Sequence, residues 1–161
     1  MRYKIRQRIF SFGDNFAIKD ELENDRYIVQ GKVFSFGDKL KIMDLSGNEL
    51  FYIEQQLFRF LPEYYIYAGD RQVAVVKKQL SFFTPKFVID SVNGAYSIEG
   101  NVFGYDFQIY KEGRMVAVIN KQWFSFGDSY GVEVVDGEDH AFLLTLAIVI
   151  DQVLHDEQKR H

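Results

Sequence analysis

Asp151, His155 and Asp156 are the residues whose types and spacing most invite chemistry. On a helix, positions four apart share a face, so Asp151 and His155 would stand together, and with Asp156 they could form a metal ligand set or a general-base pair. The signal is weak, because the chain has three histidines, His140, His155 and His161, none of them in a His-x-x-x-His pair. Asp151 is expected instead to be a structural polar residue where a helix leaves the fold. Ser11, Ser35 and Ser125 belong to a repeated pentapeptide, and a repeated residue serves a repeated structural task. The Gly-Asp pairs lack the spacings of phosphate-cradling or calcium-binding loops. With no cysteine in the chain, disulfides, thiolate zinc sites, iron–sulfur clusters and cysteine nucleophiles are excluded. No catalytic residue, metal or cofactor is expected.

Binding chemistry has more to work with. Arg2, Lys4, Arg6 and Arg8 alternate, so on a strand they share one face. Lys32, Lys39 and Lys41 occupy outward positions of the next hairpin, and strands joined by short connections are usually neighbours. Lys4, Arg6, Arg8, Lys32 and Lys41 are therefore the candidate anion- or lipid-binding residues, with a solvated strand face as the bland alternative. The balance of 19 basic against 23 acidic residues, a net charge of -4, excludes a general basic field and makes nucleic acid an unpromising partner.

These residues must be positioned by a chain of 161 residues, a length that suits one core, and a single domain over 1–161 is expected. The 16 Phe and 10 Tyr favour strands. Phe-Ser-Phe-Gly-Asp occurs at Phe10–Asp14, Phe34–Asp38 and Phe124–Asp128, and around it the chain reads as six related units beginning at Ile5, Val29, Ile53, Val76, Ile98 and Ile119. Each runs as an alternating stretch, aromatics, a Gly-Asp, Leu-Pro or Thr-Pro turn, and a second alternating stretch, which spells strand, turn, strand. Six hairpins give about twelve strands from near residue 2 to 136. The aromatics after the first stretch fall on the wrong face for the core, which predicts a β-bulge near Ile9–Phe10, Val33–Phe34, Leu57–Phe58 and Trp123–Phe124.

After Asp136 the pattern changes. Ala141–Ile150 carries one polar residue in ten, and Asp136 with Asp139 offers a cap, so a helix is expected over about 138–156. The apolar run falls short of the roughly twenty residues a bilayer span needs. A helix apolar all round must be enclosed by protein. A closed sheet of about twelve strands leaves a lumen that side chains alone do not fill, so the helix is expected to plug it. The fold class is thus all-β with one helix, a closed antiparallel barrel around a central C-terminal helix. The N-terminus lacks the apolar stretch of a signal peptide, and a cytoplasmic location is expected.

The Phe-Ser-Phe-Gly-Asp hairpins, Val76-Lys77-Lys78, Asn120–Ser125 and the ending Ile150–Glu157 resemble the LURP-one-related family, which is similar in structure to the tubby C-terminal domain and to phospholipid scramblases. The resemblance implies the same twelve-stranded barrel around a helix. It also implies a non-enzymatic binding or scaffolding module whose partner is an anionic phospholipid headgroup or a membrane-associated protein, placing the protein peripherally on a membrane. An enzyme or metal protein centred on Asp151 and His155 is the alternative, and a single-stranded nucleic-acid binder ranks third. With the aromatics and the helix assigned to the core, lipid contact is expected from the barrel wall through Arg6, Arg8, Lys32 and Lys41, electrostatic and weakened by salt.

Overall fold

The structure, a computed structural model, describes residues 1–6, 15–34, 37–123 and 129–160, apart from the side chains of 32–34, 37–38 and 155–160. The first two units form β1 (Arg2–Arg6) with β2 (Phe16–Asp20) and β3 (Asp25–Phe34) with β4 (Gly37–Met43). The third and fourth form β5 (Glu49–Gln55) with β6 (Glu63–Ala68) and β7 (Arg71–Gln79) with β8 (Lys86–Ser91). The last two form β9 (Gly94–Asn101) with β10 (Asp106–Lys111) and β11 (Arg114–Asn120) with β12 (Ser129–Val134). Each strand pairs antiparallel with its chain neighbours, and β1 closes on β12 to complete the barrel.

Period-two alternation explains why the repeat builds a barrel. The unit-opening residues Ile5, Val29, Ile53, Val76 and Ile119 are all buried, with Ile98 packed against them. The second strand of each unit sends in Ile18, Ile42, Ile66, Ile89, Ile109 and Val132. Register locks these into belts, since Leu40 faces Ile53, Ile53 faces Ile66 and Phe107 faces Ile119. A slip of one residue would turn every member outward.

The register shifts, however, are not where alternation placed them. The β3–β4 ladder runs without a shift through Val33 and Phe34 to the Phe34–Gly37 pair, and β5 ends at Gln55, before Leu57 and Phe58. The Ile9–Phe10 site and Phe124 lie outside the described residues. Shifts occur instead at Ile18/Lys19, Ile42/Met43, Ile66/Tyr67 and Ile109/Tyr110. The physical reason differs between the two described sites: β5 stops before Leu57 and Phe58, which then have no face to keep, whereas β3 carries Phe34 in regular register to its last pair, with Gly37.

The strand directions give the barrel two ends. The links within units (β1–β2, β3–β4 and so on) lie at one end, the crown, and the links between units lie at the other, the foot. From β12 the chain turns at the foot into α1 (His140–Arg160), which starts two residues later and ends four residues later than the expected span. Asp139 is its cap, with its carboxylate accepting from the Phe142 amide at 3.1 Å. Every residue from Ala141 to Leu154 is buried, as a helix enclosed on all sides requires. Near the foot, the Phe142 ring lies 5.6 Å from that of Phe51 and 5.4 Å from that of Tyr96. Toward the crown, Asp151 meets Tyr105. A helix of 21 residues is about 30 Å long, enough to run the height of the barrel.

Candidate functional site

The candidate cations of the wall do not stand alone. Lys4 and Arg6 point outward between the buried Tyr3 and Ile5, but the Lys4 ammonium donates to both Glu23 carboxylate oxygens, at 2.9 and 3.1 Å. Lys41 lies 3.5 Å from a Glu49 oxygen. Lys32 sits opposite Lys39 in the β3–β4 ladder; its side chain, like the whole of Arg8, lies outside the described residues. β2 separates β1 from β3, and its Lys19, paired across the ladder with Lys4, holds Asp25 at 3.3 Å. Arg6 is exposed. Among the described residues, Lys4, Lys19 and Lys41 are thus held in surface ion pairs, of the kind that contributes little to stability and attracts external anions weakly.

The crown is different, and sequence reasoning missed it. In the β5–β6 loop the Gln56 amide donates to Glu63 O at 2.8 Å and the Lys78 amide to Pro62 O at 3.0 Å. These bonds pin the loop's ends, while Phe58, at φ 60°, stands fully in solvent at 100 % exposure. In the β7–β8 loop, Phe82 and Phe83 are 90 % and 94 % exposed. The β9–β10 turn is tight: the Tyr105 amide donates to Val102 O at 3.1 Å and the Gly104 amide to Asn101 Oδ1 at 3.0 Å. It tucks Val102 and Tyr105 inward and leaves Phe103 outside. Gly100 allows that approach, since at φ 116° a Cβ there would lie 2.8 Å from Asp106 O and Phe107 Cα.

Basic groups accompany these rings. Arg59, between Phe58 and Phe60, donates from Nε to Glu63 at 2.8 Å, and hydrogen bonds to Glu63 and Tyr65 raise its pKa further. Lys78 is half-buried, and desolvation lowers its pKa. Lys86 is exposed at the start of β8 and lines a cleft of ≈ 370 Å³ with Gln79, Thr84, Ser97 and Glu99. The Lys121 ammonium stands 5.5 Å from the centre of the Tyr105 ring.

The foot carries acid. Asp20 accepts from the Leu22 and Asn24 amides at 2.9 and 3.0 Å. Burial pushes its pKa up, but those amides outweigh burial and hold it below the ordinary value. Asp44 is likewise lowered, chiefly by the Asn48 side chain and amide. Glu21 and Glu23 share the Asp20 turn, and Asp70, Glu112 and Asp136 stand in other turns of this end.

Asp151 is 1 % exposed and accepts a hydrogen bond from the Tyr105 hydroxyl. The buried Tyr130 hydroxyl and both side-chain polar atoms of Gln152 make no hydrogen bond among the described residues. The His155 and Asp156 side chains lie outside those residues. Among the described residues no group of three or more His, Asp or Glu could hold a metal ion, and no helix is long and apolar enough to cross a membrane.

A profile of LURP-one-related proteins matches residues 1–151. The chain belongs to the LURP-one-related family. Its barrel is the tubby-like one expected of that family. The chain is 38 % identical over 154 residues to "Uncharacterized protein YxjI" of Bacillus subtilis strain 168, covering 96 % of this chain and 94 % of that protein. An X-ray structure of an Arabidopsis thaliana protein matches with a TM-score of 0.67 at 17 % identity, over 94 % of this chain and 91 % of the plant chain. That likeness is one of fold. This LURP-one-related barrel thus has a solid interior, an acidic foot and a crown of aromatic loops with basic companions.

Proposed function

We propose that this LURP-one-related protein works by binding rather than catalysis, and that its ligands are anionic phospholipid headgroups at a membrane surface. The observation that carries this reading is the division between the two ends of the barrel. An acidic foot is repelled by an anionic surface, while Lys78 and Lys86 beside exposed apolar loops, with Arg59 shared with Glu63, are attracted to it. Each basic residue close to such a surface contributes about 1 kcal/mol, so a small cluster gives reversible peripheral attachment. Because α1 fills the lumen, a ligand has to be met from outside. The alternative centre at Asp151 and His155 has Asp151 shut inside the core against Tyr105, where no substrate can reach it without opening the barrel.

Co-sedimentation with phosphatidylcholine vesicles carrying increasing phosphatidylserine tests this. Binding should rise with the anionic fraction, and Arg59→Glu with Lys86→Glu should weaken it by roughly tenfold or more, since two attractive charges become repulsive. Recovery of the wild-type protein in the supernatant at every composition would refute the reading.

A further inference from the structure

Exposed phenylalanine is expensive to keep in water, and this chain keeps several at one end. Phe58, Phe82 and Phe83 are at least 90 % exposed, with Leu80 at 70 % and Phe103 at 55 %. They sit on the β5–β6, β7–β8 and β9–β10 connections, which are consecutive around the barrel, so the rings form an arc along one side of the crown. The foot also exposes Leu22 and Leu45, but these stand between Glu21 and Glu23 and beside Asp44, which bars them from an anionic apolar boundary.

We infer that the crown enters the membrane: Phe58, Phe82, Phe83 and Phe103 insert at the boundary between headgroups and acyl chains, standing the barrel on its crown with the foot toward water. The inference rests on the headgroup reading above and replaces the superficial wall contact expected from the sequence. Three features favour a bilayer over a protein. The rings stand on separate loop tips, whereas protein interfaces draw their affinity from anchors packed together near the centre of one patch. Arg59 follows Phe58 directly, and Lys78 and Lys86 flank the loop that bears Phe82 and Phe83, so the rings of these two loops have cations beside them on the barrel side. That order, apolar tip first and cation behind, matches the depth profile of a membrane interface, where aromatic rings lie below the phosphates. Finally, the acid concentrated at the foot orients the molecule with the crown toward an anionic surface.

The test uses the full chain and phosphatidylcholine vesicles with phosphatidylserine. Phe58→Ser, Phe82→Ser and Phe83→Ser together alter only exposed side chains, so thermal unfolding should match the wild type. The triple variant should bind vesicles on the order of 1,000-fold or more weakly, at roughly tenfold or more per ring, and wild-type binding should survive in part at high salt. Phe83→Trp should shift its emission to the blue on vesicles and be quenched by brominated acyl chains, while Trp123 of the wild type, which packs on the wall under Arg2, should not. If the wild type binds but the triple variant binds equally, or salt abolishes all binding, insertion is overturned and headgroup binding stands. If the wild type binds no vesicle, both fall. If the wild type self-associates without lipid and the triple variant is monomeric, the rings serve a second copy of this chain, and insertion is overturned.

Discussion

A carboxylate out of water is tolerated only where donors surround it, and Asp151, with the Tyr105 hydroxyl donating to it, shows how the core accommodates one. Its charge, together with burial, raises the pKa of the Tyr130 hydroxyl well above the ordinary value, with burial the larger cause. At the other end of the helix, the Tyr3 hydroxyl lies 2.7 Å from His140 Nδ1. Burial pushes the Tyr3 pKa up to about 12, so the hydroxyl keeps its proton and shares one hydrogen bond with the His140 ring. Burial, followed by the N-terminal ammonium, lowers the His140 pKa below 6.5. The unfolded chain therefore takes up this proton first as pH falls. The contribution is complete above pH 6.5 and is lost as pH drops toward the folded-state pKa. Urea unfolding across this range should show His140→Asn, whose side-chain amide can replace Nδ1 in that hydrogen bond and carries no titrating group, losing less stability than the wild type between pH 6.5 and 5. Equal slopes would mean that His140 is not held neutral. The Tyr3–His140 contact was not legible in the sequence, because nothing in the spacing of residues 137 apart marks them as partners.

The strands and helix were legible because the repeat states its own period. Aliphatic residues at the same place in each unit had to share a face, and they line the lumen as two belts. Sequence alternation misplaced the described bulges because it needed a slip that the chain does not make: β5 ends before Leu57 and Phe58, and β3 keeps its register through Phe34. Helix ends also moved, since Asp139 rather than Asp136 caps α1. The plug is the element on which the barrel depends. Leu146 is completely buried, so Leu146→Ala should cost about 2–5 kcal/mol in a denaturant melt and still fold. Leu146→Asp leaves an unpaired charge in the lumen, at a cost of several kcal/mol that should prevent folding as read by far-UV circular dichroism. A folded Leu146→Asp protein of ordinary stability would show that the helix is not the centre of the structure.

The whole molecule has a polarity that its net charge of -4 conceals. Alternation predicted that Lys4, Arg6 and Lys41 face outward, but Glu23 and Glu49, which hold Lys4 and Lys41, come from a turn and from another strand, and cross-strand register is not written in local sequence. The crown left a fainter signal: Phe58, Phe60, Phe82 and Phe83 lie next to Pro62 and Pro85, in turns rather than strands, and aromatic residues in a turn have no core to enter. Composition alone assigned them to the interior. The central claim, that this end of the barrel meets the membrane, is tested most directly by amide hydrogen exchange of the full chain with and without anionic vesicles. Protection should appear in the crown loops at 56–62, 80–85 and 102–105, with the foot turns at 21–24, 44–48 and 69–70 unchanged. Protection confined to the foot or to the wall strands, or identical exchange in vesicles the protein demonstrably binds, would contradict it.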